Sequence, residues 1–120
     1  MLLTINELNT QLNSTDSSIT SLIHFEEVMA VISENYNYQQ STFKNGEIEN
    51  LAGTNEGSCK IFAYAQLNNL TEQATLHCFG QYYRDDVLKN PAGKDHGNIR
   101  NFMKTGWAGI KFEQAALTLK

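Results

Sequence analysis

Cys59 follows Ser58, a residue type that caps helices, and precedes Lys60. A thiol in the first turn of a helix, beside an ammonium, is stabilised as the thiolate, the form that acts as a nucleophile. Gly53 and Gly57 bracket a tight loop that holds Asn55 and Glu56, and Glu56 could converge with Cys59 on one pocket. The plainer reading makes Cys59 a small core residue on the Phe62–Leu67 face. A catalytic cysteine also needs a base, and His77 or His96 would have to be brought to it by the fold. His77, Gln81, Arg84 and Asp85 are spaced i, i+4, i+7 and i+8, one face of a helix. Arg84 there could grip a carboxylate or phosphate through both its forks, with His77 moving a proton. Tyr83 could extend such a cleft. The plainer reading is a solvated face carrying a local Arg84–Asp85 pair of little energetic weight.

A third group, His96, Asn98, Arg100 and Asn101, surrounds another helix start. Free amides there suit an anion, Asp95 opposes one, and capping is the expected role. His77, Arg84, His96 and Arg100 are expected to share one concave region, because polar residues scattered through core helices are most easily satisfied by one another. No pair among His77, His96, Glu56, Asp85 and Asp86 has a recognised metal-ligand spacing, so no metal is expected. The glycines at 53 and 57 lack the Gly-Lys-Ser/Thr of a phosphate loop, and there is no Cys-x-x-Cys. No cofactor is therefore expected.

Several elements must position these groups. Thr4 and Glu7 form a capping box ahead of Ile5, Leu8 and Leu12, predicting a helix over 5–12. Asn13 to Ser18 is polar and aperiodic, hence a loop. Phe25, Val28, Met29, Ile32 and Tyr36 make a single helical stripe. The Asn45-Gly46 pair predicts a short hairpin within 40–51. Ser58 is expected to cap a helix that is apolar nearly all round and so buried. Asn68-Asn69 ends it, and Thr71 caps the next helix. That helix, from Glu72, is expected to reach about Leu88, where Pro91 and Gly93 stop it; Gly80 on its stripe leaves room for a neighbouring backbone. Asp95 or His96 opens a last helix, with Ile99, Phe102 and Met103 inward and Gly106 ending it. Ile110–Phe112 and Leu117–Leu119 alternate as a short strand or docked tail. The expected fold class is helix-dominated α+β, with about five helices on one core.

A chain of 120 residues with 41% hydrophobic and 18% charged residues is expected to form one globular domain over 1–120. The net charge of −4 argues against nucleic acid and against anionic membrane surfaces. No apolar run is long enough to span a bilayer, and no signal peptide is visible. Cys59 and Cys78, both within helical patterns, read as free thiols in a reducing cytoplasm.

The runs Asn55–Ala63, Cys78–Leu88 and His96–Trp107, with Phe25–Tyr36, Phe43 and Asn45-Gly46, resemble the HopJ family, named for a type III effector of plant-pathogenic bacteria. The resemblance covers roughly residues 22–113. It implies passage from the bacterial cytoplasm into a host cell through a type III secretion apparatus, without a cleaved signal peptide. It brings no catalytic residues with it. Two functional readings follow. One is an effector that binds a partner protein through an aromatic and arginine-containing surface. The other is a small cytoplasmic enzyme or metabolite-binding protein with a His/Arg/Asp pocket.

Overall fold

The protein is described by a computed structural model covering residues 2–120. Among the described residues six α-helices and five three-residue strands pack on one hydrophobic core, the helix-dominated α+β class that the patterning predicts. The first helix, α1 (Ile5–Leu12), carries the complete capping box, with Thr4 N donating to Glu7 Oε1 at 2.9 Å and Glu7 N to Thr4 Oγ1 at 3.1 Å. The loop expected over 13–18 is shorter, because Asp16 accepts from Ser18 N and caps a single-turn helix, α2 (Ser17–Thr20). Next comes α3 (Phe25–Asn35), which buries Val28, Val31 and Ile32.

Strands β1 (Tyr36–Tyr38), β2 (Phe43–Asn45) and β3 (Ile48–Asn50) follow. The hairpin β2–β3 has the expected place but a turn one residue later. Its central residues are Gly46 and Glu47, with φ +61 at Gly46. Glycine at the first central position suits a two-residue hairpin loop. Asn45 is therefore a strand residue, fully buried.

The C-terminal segment supplies β4 (Ile110–Phe112), which pairs with β2, and β5 (Leu117–Leu119), which pairs with β1. The two pairings keep one register. Bonds from Lys120 N to Asn35 O, Gln39 N to Ala116 O, Glu113 N to Thr42 O and Gly46 N to Gly109 O tie residues 35–46 to 109–120. One long antiparallel ribbon thus straps the chain's end across its first half.

The buried helix is α4 (Glu56–Leu67), with Cys59 and Ile61 through Ala65 all inside. Its cap is Asn55 in the left-handed region, not Ser58, which lies within the first turn. Phe62 is the hub of the core, its ring centroid 5.0 Å from Phe102, 5.6 Å from Phe79 and 5.9 Å from Phe43. Aromatic pairs at such distances add to the energy of burial itself. Thr71 caps α5 (Glu72–His77) through Ala74 N at 3.0 Å.

The helix expected to run from Glu72 to about Leu88 is broken. It ends at His77, passes through Gly80 at φ +56, and resumes as a π-helical turn over Tyr82–Val87. The reason is close packing of two backbones. A Cβ on Gly80 would lie 2.5 Å from Phe25 N and 2.9 Å from His24 C. That approach lets Gln81 Oε1 accept from Phe25 N at 3.0 Å, capping α3 from across the core.

The last helix, α6 (Gly97–Thr105), buries Asn98, Ile99 and Phe102. Met103, expected inward, is 46% exposed, and Asn98 takes an inward place instead. Gly106 ends α6 at φ +58, and a 3₁₀ turn over Gly106–Gly109 leads into β4.

Candidate functional site

Two helices, α4 and α6, start beside the same cavity. Each has a left-handed N-cap residue, Asn55 at φ 49 and His96 at φ 51, and neither cap's side chain bonds a backbone amide. The first helical bonds begin only at Cys59 N to Asn55 O and Arg100 N to His96 O. The N–H groups of Gly57, Ser58, Gly97, Asn98 and Ile99 find no acceptor among the described residues, and all five residues line a cavity of about 380 Å³. Unsatisfied first-turn amides carry the positive end of each helix dipole. Phe25, Phe79 and Tyr82 form the aromatic wall. Tyr82 meets Phe25 edge-on at 5.2 Å and stacks on the His96 ring at 5.4 Å.

The angle between the two helix starts is fixed by a network of buried amides. Asn45 Nδ2 donates to Asn98 O at 2.8 Å and to Asn98 Oδ1 at 3.1 Å. Asn98 Nδ2 donates to Asn50 Oδ1 at 2.9 Å, while Asn50 Nδ2 returns a bond to Asn98 Oδ1 at 3.2 Å. Asn55 Nδ2 joins at Asn50 Oδ1, 2.7 Å, and Asn101 Nδ2 at Asn45 O, 2.5 Å. Asn45 and Asn50 are 0% and 1% exposed, so each bond stands in for solvation that burial removes. The network thus joins the hairpin, the cap of α4 and the start of α6. These asparagines look like turn residues in the sequence. The signal that could have found them is strand parity, since Phe43, Asn45 and Asn50 share the inward positions.

His77, Arg84, His96 and Arg100 do not come together in one cavity. His96 lines the cleft, with Nε2 2.9 Å from Asp86 Oδ2. It caps no amide, contrary to its expected role. Arg100 donates to Asp95 O at 2.6 Å, Asp95 Oδ1 at 2.7 Å and Asn90 O at 2.8 Å, bracing the loop ahead of α6. Its hydrogen bond holds the Asp95 carboxyl below the usual carboxylate range. Arg84 donates to Ile23 O at 2.6 Å and Thr20 O at 3.3 Å, satisfying carbonyls at the end of α2. Asp85 is exposed and pairs with Lys89 at 3.2 Å rather than with Arg84. The break at Gly80 resets the helical phase, so the face drawn through His77, Gln81, Arg84 and Asp85 does not exist.

His77 packs edge-on to the buried Tyr83 at 6.1 Å and lies 3.3 Å from Gln73 Nε2, which also donates to the Tyr83 hydroxyl. Its Nδ1 is buried without a partner. Burial first, and the Arg84 charge second, lower its pKa from the ordinary 6.5. Below pH 6.5 the unfolded chain takes up a proton that folded His77 refuses. Stability present above that pH is therefore lost as pH falls toward the lower folded value. The slope for one proton is at most about 1.4 kcal/mol per pH unit. Denaturant midpoints should fall between pH 7 and pH 5, and fall less in His77→Gln; parallel curves would exclude His77 as the source.

Cys59 is not placed as a nucleophile. It is 1% exposed, its Sγ lies 3.7 Å from Ser41 O, and burial pushes its pKa up. Glu56 neighbours Tyr38, whose phenol is raised by burial and then by Glu56. Both cysteines are free and buried. Iodoacetamide should label neither in the native protein and both in denaturant, read by mass; prompt native labelling of Cys59 would restore the nucleophile reading.

Among the described residues no helix is long and apolar enough to cross a membrane. Fold and site together define a small helix-dominated α+β protein with a cleft between two uncapped helix starts. The chain belongs to the HopJ family, described as HopJ type III effector protein, which matches residues 5–117. The match includes α1, which the sequence resemblance had left outside. Membership marks the chain as type III effector-like. A similar solved structure is the crystal structure of unknown function protein VPA0580, at 49% identity and a TM-score of 0.92 over 100% of this chain and 97% of that one. No curated protein matches.

Proposed function

We propose that this effector-like protein acts by binding, and that its ligand or partner group seats in the cleft between the starts of α4 and α6. The supporting observation is the cavity of about 380 Å³, with free first-turn amides on one side and aromatic rings on the other. Amides only donate, so the fitting group must accept. Two acids contact lining residues, Asp86 at 2.9 Å from His96 Nε2 and Glu26 accepting from the Tyr82 hydroxyl at 3.4 Å. Like charge there disfavours a phosphate and favours a single carboxylate or a carbonyl on a flat apolar body. Such a group occurs on a small metabolite and at the C-terminus of a peptide with an aromatic last residue.

The cleft can be tested by titrating an aromatic carboxylate, its neutral amide, inorganic phosphate and a Phe-ended peptide into labelled protein. The amide signals of Gly57, Ser58 and Gly97 are the readout. Acceptor-ended aromatics should move them, phosphate should not, and the peptide arm separates a partner protein from a metabolite. If none of the aromatic probes moves these signals at millimolar concentration, the cleft reading fails. Gly97→Ala is a further check. A Cβ there meets nothing closer than Ile48 Cδ1 at 4.0 Å, so the variant should fold with unchanged or slightly higher stability while narrowing the cleft. Secretion is a separate matter. A reporter fused to residues 1–20 should leave a secretion-competent cell if the family's name describes this chain's route.

A further inference from the structure

We infer that the groove between the end of the π-helical turn and α6 is a docking surface for an acidic, apolar segment of a partner protein. Leu88 and Met103 stand outside the core here, 48% and 46% exposed. They line a groove of about 390 Å³ with Val87 and Pro91, and its only charged lining residues are Arg100 and Lys104. The groove is separate from the cleft; Arg100, Leu88 and Met103 do not line that cavity.

Charge selects the partner's sign. The chain carries −4 overall, yet residues 85–104 hold four of its nine Lys and Arg and three of its thirteen acids. Each of those acids is engaged: Asp85 with Lys89 at 3.2 Å, Asp86 with His96 at 2.9 Å, and Asp95 with Arg100 at 2.7 Å. Lys104 has no acidic partner within 4.0 Å among the described residues. Arg100 is bonded to backbone carbonyls and forms a fixed wall. Of the two cations in the segment without an acidic partner among the described residues, Lys94 and Lys104, Lys104 lines the groove and can meet an incoming carboxylate. Exposed Leu and Met supply the apolar contact, and the unbranched, polarizable thioether adapts to different side chains. An amphipathic segment with Leu or Phe on one face and Glu or Asp beside it matches both features.

The probe is a labelled amphipathic Leu/Glu peptide, with the same peptide carrying Lys for Glu as its control. Fluorescence anisotropy reads affinity. Methyl signals of the chain's three methionines, Met1, Met29 and Met103, read the site. The Leu/Glu peptide should bind, move the Met103 methyl and leave that of the half-buried Met29 unmoved. Binding should weaken about tenfold in Leu88→Glu and in Lys104→Glu, and weaken with added salt. Equal binding of the Leu/Lys control, an unmoved Met103 methyl, or full affinity in both variants would overturn the inference. So would self-association in sedimentation that the same variants abolish, since the face would then belong to a second copy. The methyl shifts are read on the unaltered protein, so a variant that folds poorly leaves the test intact.

Discussion

Gly80→Ala is expected to destabilise the protein by roughly 3–5 kcal/mol, a large part of the total for a domain of this size. Two costs add. Gly80 sits at φ +56, where an L side chain is strained by about 1–2 kcal/mol. The new Cβ would also fall 2.5 Å from Phe25 N and 2.9 Å from His24 C. Both neighbours are backbone, so no side chain can swing aside, and α3 itself must move. That motion would disturb the Gln81 bond that caps α3 and the Phe25 wall of the cleft. Equilibrium denaturation of Gly80→Ala beside Gly97→Ala makes the measurement specific. The first should lose several kcal/mol and the second none. A Gly80→Ala midpoint matching the unaltered protein would mean that the π-turn and α3 are not held at contact distance.

Asn98→Leu should cost roughly 2–4 kcal/mol although it keeps the branched shape of the side chain. Asn50 Nδ2 has Asn98 Oδ1 as its acceptor, and both atoms are buried, so the substitution strands a donor. Asn45 Nδ2 keeps the Asn98 carbonyl at 2.8 Å and loses less. The informative comparison is the double variant Asn50→Leu/Asn98→Leu. Removing both partners leaves no stranded Asn50 donor, so its cost should be smaller than the two single costs combined. Additive costs would show that these side chains act separately and that the network is not a unit. The amide signals of Gly57 and Gly97 should shift in both single variants, because the network positions both helix starts.

Local signals were legible where the chain answers to its own neighbours. The capping box at Thr4 and Glu7, the Thr71 cap, the end of α4 at Asn68-Asn69 and the stop at Gly106 depend on a few adjacent residues, and each is found where the pattern puts it. The role of Gly80 was half legible: glycine announced a close approach but not a positive φ, which depends on where α3 lies. His96 and Asn55 both precede a helix in the left-handed region, and neither side chain turns back to an amide, because His96 bonds Asp86 and Asn55 bonds Asn50 instead. Met103 shows the same limit. Its helical position allowed an inward face, but the bonds of Asn98 to Asn45 and Asn50 turn the Asn98–Ile99–Phe102 face of α6 inward and leave Met103 outside.

The side chains first picked out for chemistry divide in the same way. Glu56, Cys59, His77, Tyr83, Arg84, Asp85, His96 and Arg100 stand out by type and spacing. Of these only His96 lines the cleft. Cys59 is core, Arg84 and Arg100 hold carbonyls, and Asp85 pairs at the surface. The sequence by itself determined the fold class, most helix ends, the hairpin and the family, because periodicity, capping and an ordered run of motifs are local properties of the chain. Only the tertiary structure decided the candidate site. It is made of backbone amides from two helix starts, residues 55–58 and 96–99, and a free amide carries no side-chain signature. Its position depends on buried asparagine bonds spanning about fifty residues, which no local pattern encodes.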